Sequence, residues 1–243
     1  MIRSIGAINK SLNVLQKKQE NTSNNIANSN TPGYKYQQAM QRAENNHTMV
    51  NYTGGAGDSR RTLGDWTFGN YVDELNTSFT PGSLQETGDP LDFAITGEGF
   101  FVLDTATGER AYTRNGNFVI DPENRLATME GHRVLGTGLD GLETPIYMDN
   151  DGRIQNSARF LIAAFPDTAV LERAGDTLFT DPQNTAVVSN EEPVRGFLEL
   201  SNVIVADEMV RLIQIAREFE ANQKALQVSE DTLSKAVNEV GKV

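Results

Sequence analysis

The distribution of proline and glycine divides this chain before any motif is read. All eight prolines fall between Pro32 and Pro193, and ten glycines crowd the stretch from Gly82 to Gly141. Only one glycine precedes Gly33, and none lies between Val203 and Val240. Proline removes a helix hydrogen bond and glycine favours turns. The two ends are therefore free to form long helices, and the middle is confined to strands and turns.

The ends carry a positive signal as well. Alternating steps of four and three reach Met1, Ile5, Ile8, Leu12, Leu15, Gln19, Thr22 and Ile26 near the start. At the other end they reach Val205, Met209, Leu212, Ala216, Phe219, Gln223, Leu226, Glu230, Leu233, Val237 and Val240. Such a spacing, about 3.5 residues, keeps one apolar stripe facing a partner helix. At about 1.5 Å per residue the two helices would run about 40 and 57 Å. An amphipathic helix on an ordinary globular domain shows the same periodicity, so the stripe alone does not choose between the two. The polar breaks at Gln19, Thr22, Gln223 and Glu230 fit a stripe only partly buried in one copy.

Short apolar runs fill the middle: Phe93-Ala-Ile95, Phe100-Phe-Val-Leu103, Phe118-Val-Ile120, Phe160 to Phe165 and Val194 to Leu200. Asp121-Pro-Glu-Asn124 and Asp149-Asn-Asp-Gly152 have hairpin-turn chemistry. Several short strands without helical patterns between them predict an antiparallel sheet or barrel. The expected class is α+β, with N- and C-terminal helices pairing as a coiled-coil-like layer and a central, mainly antiparallel β domain. Residues 1–35 and 201–243 form the expected helical domain, 36–80 a polar linker or extended arm read as an excursion from the middle, and 81–200 the β-rich domain.

Little in the chain points to catalysis. There is no cysteine, so disulfides and thiolate metal sites are excluded. His47 and His132 are the only imidazoles, and no serine sits in a nucleophile elbow. Asp149-Asn-Asp-Gly152 has its glycine two places too early for a calcium loop and no glutamate at the twelfth position. Gly97-Glu-Gly99 has no helix after it and so lacks the setting of a phosphate loop. No cofactor and no metal are expected. A net charge of -12 argues against nucleic acid as a partner, and a mean hydropathy of -0.44 against membrane insertion. The first sixteen residues, MIRSIGAINKSLNVLQ, contain no apolar run of the kind a cleaved signal needs.

The most unusual stretch is Asn24-Asn-Ile-Ala-Asn-Ser-Asn-Thr-Pro-Gly-Tyr-Lys35, with four asparagines in seven residues ahead of a Thr-Pro-Gly stop. It resembles the N-terminal signature of bacterial flagellar axial proteins, the rod and hook family. Three further blocks agree: PGSLQETGDPLDFAITGEGFF at 81–101, YTRNGNF at 112–118 with LATMEGHRVLG at 126–136, and LELSNV at 198–203 with AREFEANQK at 216–224. The likeness is weak only from about Gln41 to Leu63.

That resemblance implies a structural subunit of the flagellar basal-body rod, stacking helically into a hollow shaft that carries torque from motor to hook. Its partners would be copies of itself and other rod and hook proteins. It would be exported through the flagellar type III apparatus without a cleaved signal and reside outside the cytoplasm. The stripe residues Ile5, Ile8, Leu12, Leu15, Ile26, Val205, Met209, Leu212, Ala216, Phe219, Leu226, Leu233, Val237 and Val240 would carry assembly. Asn25, Asn28, Asn30, Thr31, Pro32, Gly33 and Tyr34 would form the family motif and helix stop, near Asn30, with short amides bonding where long side chains do not fit. On this reading Gly33→Val harms assembly and hardly touches the isolated chain. Length favours the distal rod protein or the related larger proximal one, and Ile215-Ala-Arg-Glu-Phe-Glu220 departs from the Gln-Arg-Ala-Tyr pattern of the distal member. Another extracytoplasmic helical tube, or a hydrolase working through paired carboxylates, would share parts of this pattern.

Overall fold

Phe100-Phe-Val-Leu103 shows how the middle of the chain folds. Successive side chains of a strand point to opposite faces, and here both faces are apolar. Phe101 and Leu103 enter one buried cluster with Phe93, Ile95, Phe118, Leu126, Val134, Ile146 and Ile162. Phe100 and Val102 enter another with Tyr112, Leu161, Ala163, Phe165 and Phe179. A strand covered on both sides reads as a continuous apolar run, so this strand, Phe100–Asp104, is the spine of the β domain.

A computed structural model describes all residues except 1, 53–59, 68, 106–107, 139–140, 150–152, 156–157 and 241–243, and gives no side-chain account at 2–4, 52, 60–61 and 239–240. The Asp149–Gly152 turn thus falls largely outside the described residues, as do Met1 and the Val240 side chain. The chain folds as two compact units. One comprises Met1–Ile26, Gln37–Asn76 and Val205–Val243; the other comprises Ala27–Tyr36 and Thr77–Ile204.

In the second unit the sheet is antiparallel throughout its described pairs. Its order is Glu172–Arg173, Leu178–Thr180, Arg110–Thr113, Phe100–Asp104, Arg133–Thr137, Leu126–Thr128 and Phe118–Ile120. Ile162–Ala164 also pairs with Phe100–Asp104 and carries Val187–Ser189 on its other side. Glu143–Pro145 and Arg159–Phe160 pair with Arg133–Thr137, and two small ribbons also belong to the unit: Phe93–Ala94 with Val194–Arg195, and Leu84–Glu86 with Phe197–Glu199.

In the first unit helix α1 spans Ile2–Ala27 and helix α2 spans Val205–Val240. Between them in sequence come two ribbons, Gln37–Ala43 with Asn70–Thr77 and His47–Tyr52 with Arg60–Trp66. The sequence attached this arm to the middle of the chain, and in the fold its residues pack with the helices. The reason is local: Lys18 Nζ donates to Gln41 Oε1 at 2.8 Å, Lys10 pairs with Glu44, and the Lys10 chain lies over Gly69. These polar contacts leave no hydrophobic signature.

Candidate functional site

Helix α1 and helix α2 pair antiparallel. Asn25 Nδ2 donates to Glu208 Oε2 at 3.0 Å, and Asn222 Nδ2 donates to Ser11 Oγ at 3.4 Å. Equal spans of chain separate these two contacts on each helix, so the register is even. Asn25 is fully buried, and its amide is used at both ends. Nδ2 also donates to Gln37 O at 2.8 Å while Oδ1 accepts from Gln37 N at 3.2 Å. A longer side chain has no room for this double contact, and an apolar one leaves Glu208 with a buried carboxylate and only Arg211, at 3.0 Å, to balance it.

Along α2 the less exposed residues step through Val205, Glu208, Leu212, Ile215, Phe219, Asn222, Leu226, Ser229 and Leu233. Of the stripe residues read from sequence, Val205, Leu212, Phe219, Leu226 and Leu233 lie on this inner side. Met209, Ala216 and Val237 are exposed. In α1, Leu15 is buried with Val14, while Ile5, Ile8, Leu12 and Ile26 are half-buried. The outer side of α2 keeps a second apolar row, with Met209 53%, Val210 54% and Ile213 54% exposed.

The helix stop belongs to the β unit. Helix α1 ends at Ala27, and Asn28 then caps the turn: its carbonyl accepts from Thr31 N at 3.1 Å and its Oδ1 accepts from Thr31 Oγ1 at 3.1 Å. Tyr34 N closes the next turn onto Thr31 O. Asn30 is exposed and Pro32 half-buried. Gly33 takes φ +70, and its N–H donates to Glu199 O at 2.8 Å. A Cβ here would stand 2.2 Å from Asn115 N and 2.4 Å from the Arg114 carbonyl carbon. Both are backbone atoms that cannot swing aside. Gly33 is therefore seated inside the β domain of the single chain, unlike the free turn expected from sequence.

Next to that seat lies a buried charge cluster. Lys35 Nζ donates to Glu199 Oε1 at 2.6 Å and to Thr80 O at 2.9 Å. Gly82 N donates to the same carboxylate oxygen at 2.8 Å, and Arg114 Nη1 faces Glu199 Oε2 at 3.3 Å. The Arg114 guanidinium also lies over the Phe100 ring, 4.8 Å from its centre. Burial pulls the Lys35 ammonium and the Arg114 guanidinium below their ordinary ranges, and Glu199 opposes that pull on both. Nearby, Tyr34 is buried beneath the Arg173 guanidinium, 4.5 Å from its ring centre. Asn202 clasps the start of the arm: Oδ1 accepts from Tyr36 N at 2.7 Å and Nδ2 donates to Ser78 O at 2.9 Å. Lys35, Arg114, Glu199 and Asn202 all stand within the motif blocks. The available signal was charge and amide side chains embedded in otherwise apolar or turn-forming motifs.

No group of three or more His, Cys, Asp or Glu suited to a metal occurs among the described residues. His47 is exposed on the arm and His132 half-exposed at a hairpin turn of the sheet. No helix among the described residues is long and apolar enough to cross a membrane.

Comparison with known proteins matches residues 11–35 to the family described as flagella basal body rod protein. Residues 194–239 match the flagellar basal body rod FlgEFG protein C-terminal family. Among similar proteins, the flagellar hook-basal body complex protein FlhO of Bacillus subtilis is 31% identical over 100% of both chains. The flagellar basal-body rod protein FlgF of Caulobacter vibrioides is 31% identical over 94% of each chain. The flagellar basal-body rod protein FlgG of Bacillus subtilis is 29% identical over 98% of this chain and 99% of its own.

Proposed function

The chain belongs to the flagellar basal-body rod protein family, and on that premise we propose that it is a structural subunit of the rod, building a hollow helical shaft that carries torque from motor to hook. The observation that carries this reading in the molecule itself is the second apolar row on α2. Its inner side is taken up by α1, yet Met209, Val210 and Ile213 remain exposed. A helix apolar on two sides is built for two neighbours, and one chain supplies only the first. Repetition of a heterologous contact gives a helical tube.

Further parts of the reading follow from the family. Its partners are copies of itself and other rod and hook proteins. It reaches an extracytoplasmic site through the flagellar type III apparatus, without membrane insertion and without nucleic acid. In it the terminal helices form the tube-lining domain and the sheet an outer layer, with the stripe residues as the assembly seam. FlgG and FlgF relatives stand at similar identity, so the position along the rod is a matter for microscopy. The test is electron microscopy of basal bodies from a deletion strain complemented with a tagged chain. Loss of the rod on deletion and tag density on the restored rod are expected. Complete basal bodies without the chain overturn the reading.

A further inference from the structure

The loop Gly97-Glu-Gly99 and the segment 190–193 meet at a charge imbalance inside the β domain. Arg114 has 0% side-chain exposure, and its Nη1 serves both Gly97 O at 2.7 Å and Glu199 at 3.3 Å. Its Nε and Nη2 are buried without a hydrogen-bond partner. Glu199 is already shared with Lys35, so two buried cations face one buried carboxylate. Further negative charge comes from Glu191 and Glu98, neither of them in ion-pair contact with Arg114. A Cβ built on Gly97 would lie 2.1 Å from Glu191 Oε1, and one on Gly99 would lie 3.0 Å from Oε2. The carboxylate therefore occupies the space that a side chain at Gly97 would take, while at Gly99 Ile162 Cγ2, 2.3 Å from the Cβ position, comes first. Glu191 and Glu98 both favour the charged form of Arg114.

We infer that Gly97 forms a seat for the Glu191 carboxylate, and that Glu191, settled there on the side of the loop whose carbonyl meets Arg114, straps the segment 190–193 to the β domain. A side chain in place of Gly97 would expel the carboxylate from this seat. Glu192 cannot do the same work. It faces Arg159 instead, at 3.9 Å. The strap forms one wall of a cavity of about 440 Å³ floored by Phe93, Ile154 and Phe160. Release of Glu191 frees that wall. The device lies within the β domain and does not depend on rod assembly.

Amide hydrogen exchange on the full soluble chain tests it. Glu191→Gln is an exposed, nearly isosteric change, and Gly97→Ala displaces only the end of a flexible side chain, so both chains are expected to fold. Each should speed exchange across 189–195 about tenfold by local opening, with the sheet interior unchanged. The double variant should do no more than either single one, because both remove the same contact. Glu98→Gln should leave the strap as it is. High salt should loosen the parent strap and not that of Glu191→Gln. Parent-like exchange in Glu191→Gln, or additive effects in the double variant, overturns the inference.

Discussion

Lys35 and Glu199, far apart in the chain, form a buried ion pair 2.6 Å long with both side chains 1% exposed. Arg114 shares the same carboxylate, which makes the three residues unequal. Removing Glu199 takes the shared carboxylate from two buried cations, whereas removing Lys35 leaves Arg114 to balance it. Glu199→Gln is expected to destabilise the β domain by about 3–5 kcal/mol, the cost of an unpaired buried charge. Lys35→Met should cost less than Glu199→Gln, because Arg114 still pairs with the Glu199 carboxylate. Urea unfolding of both variants checks this. Equal losses would refute the accounting.

Gly33 makes the second case. Its positive φ costs a residue with a Cβ about 1–2 kcal/mol, and the backbone of Arg114 and Asn115 leaves the Cβ no space. Overpacking adds about 1–3 kcal/mol. Gly33→Ala is thus expected to lower the thermal midpoint of the β domain in the isolated chain, and Gly33→Val to lower it further. A Gly33→Val chain melting with the parent would show that the turn is not seated as described.

These two cases also show what sequence conveys and what it hides. The double apolar faces of Phe100–Leu103 and the long helices are written in composition and period, because burial of many side chains repeats along the element. The partners of Asn25, Lys35 and Arg114 are not. Each is a single polar contact over a long span of chain, and no local pattern encodes which carboxylate it meets. The α2 stripe is an intermediate case. Met209 and Glu208 are neighbours, and hydrophobicity alone favours Met209 for the inner side. The fold places Glu208 there because Asn25 and Arg211 satisfy it.

A pH dependence follows from Asp121. Desolvation works against its charge, but N–H groups of Arg125 and Glu123 and the Arg125 guanidinium outweigh that and hold its carboxyl below the usual range. A carboxylate with a lowered folded-state pKa stabilises the fold above its unfolded value, near about 3.9, and that contribution is lost as pH falls through the folded value. Asp121→Asn should therefore lower the urea midpoint at neutral pH and flatten its fall below about pH 4. An unchanged acid slope in the variant would remove Asp121 from the account.

The two sides of α2 separate folding from assembly. Leu212 and Phe219 lie on the half-buried side toward α1, whereas Met209 and Ile213 are exposed. Leu212→Asp or Phe219→Asp places a carboxylate in the helix pair, at several kcal/mol. Hydrogen exchange in both helices of the isolated chain should rise sharply. Met209→Asp or Ile213→Asp meets only water in the isolated chain and should leave that exchange near the parent's. In a rod the same carboxylate would enter an apolar contact in every subunit, so motility should be lost while the chain stays folded. The contrast does not require knowing which neighbour covers the outer row. If cells carrying Met209→Asp and Ile213→Asp together swim like the parent, that row does not hold subunits to one another.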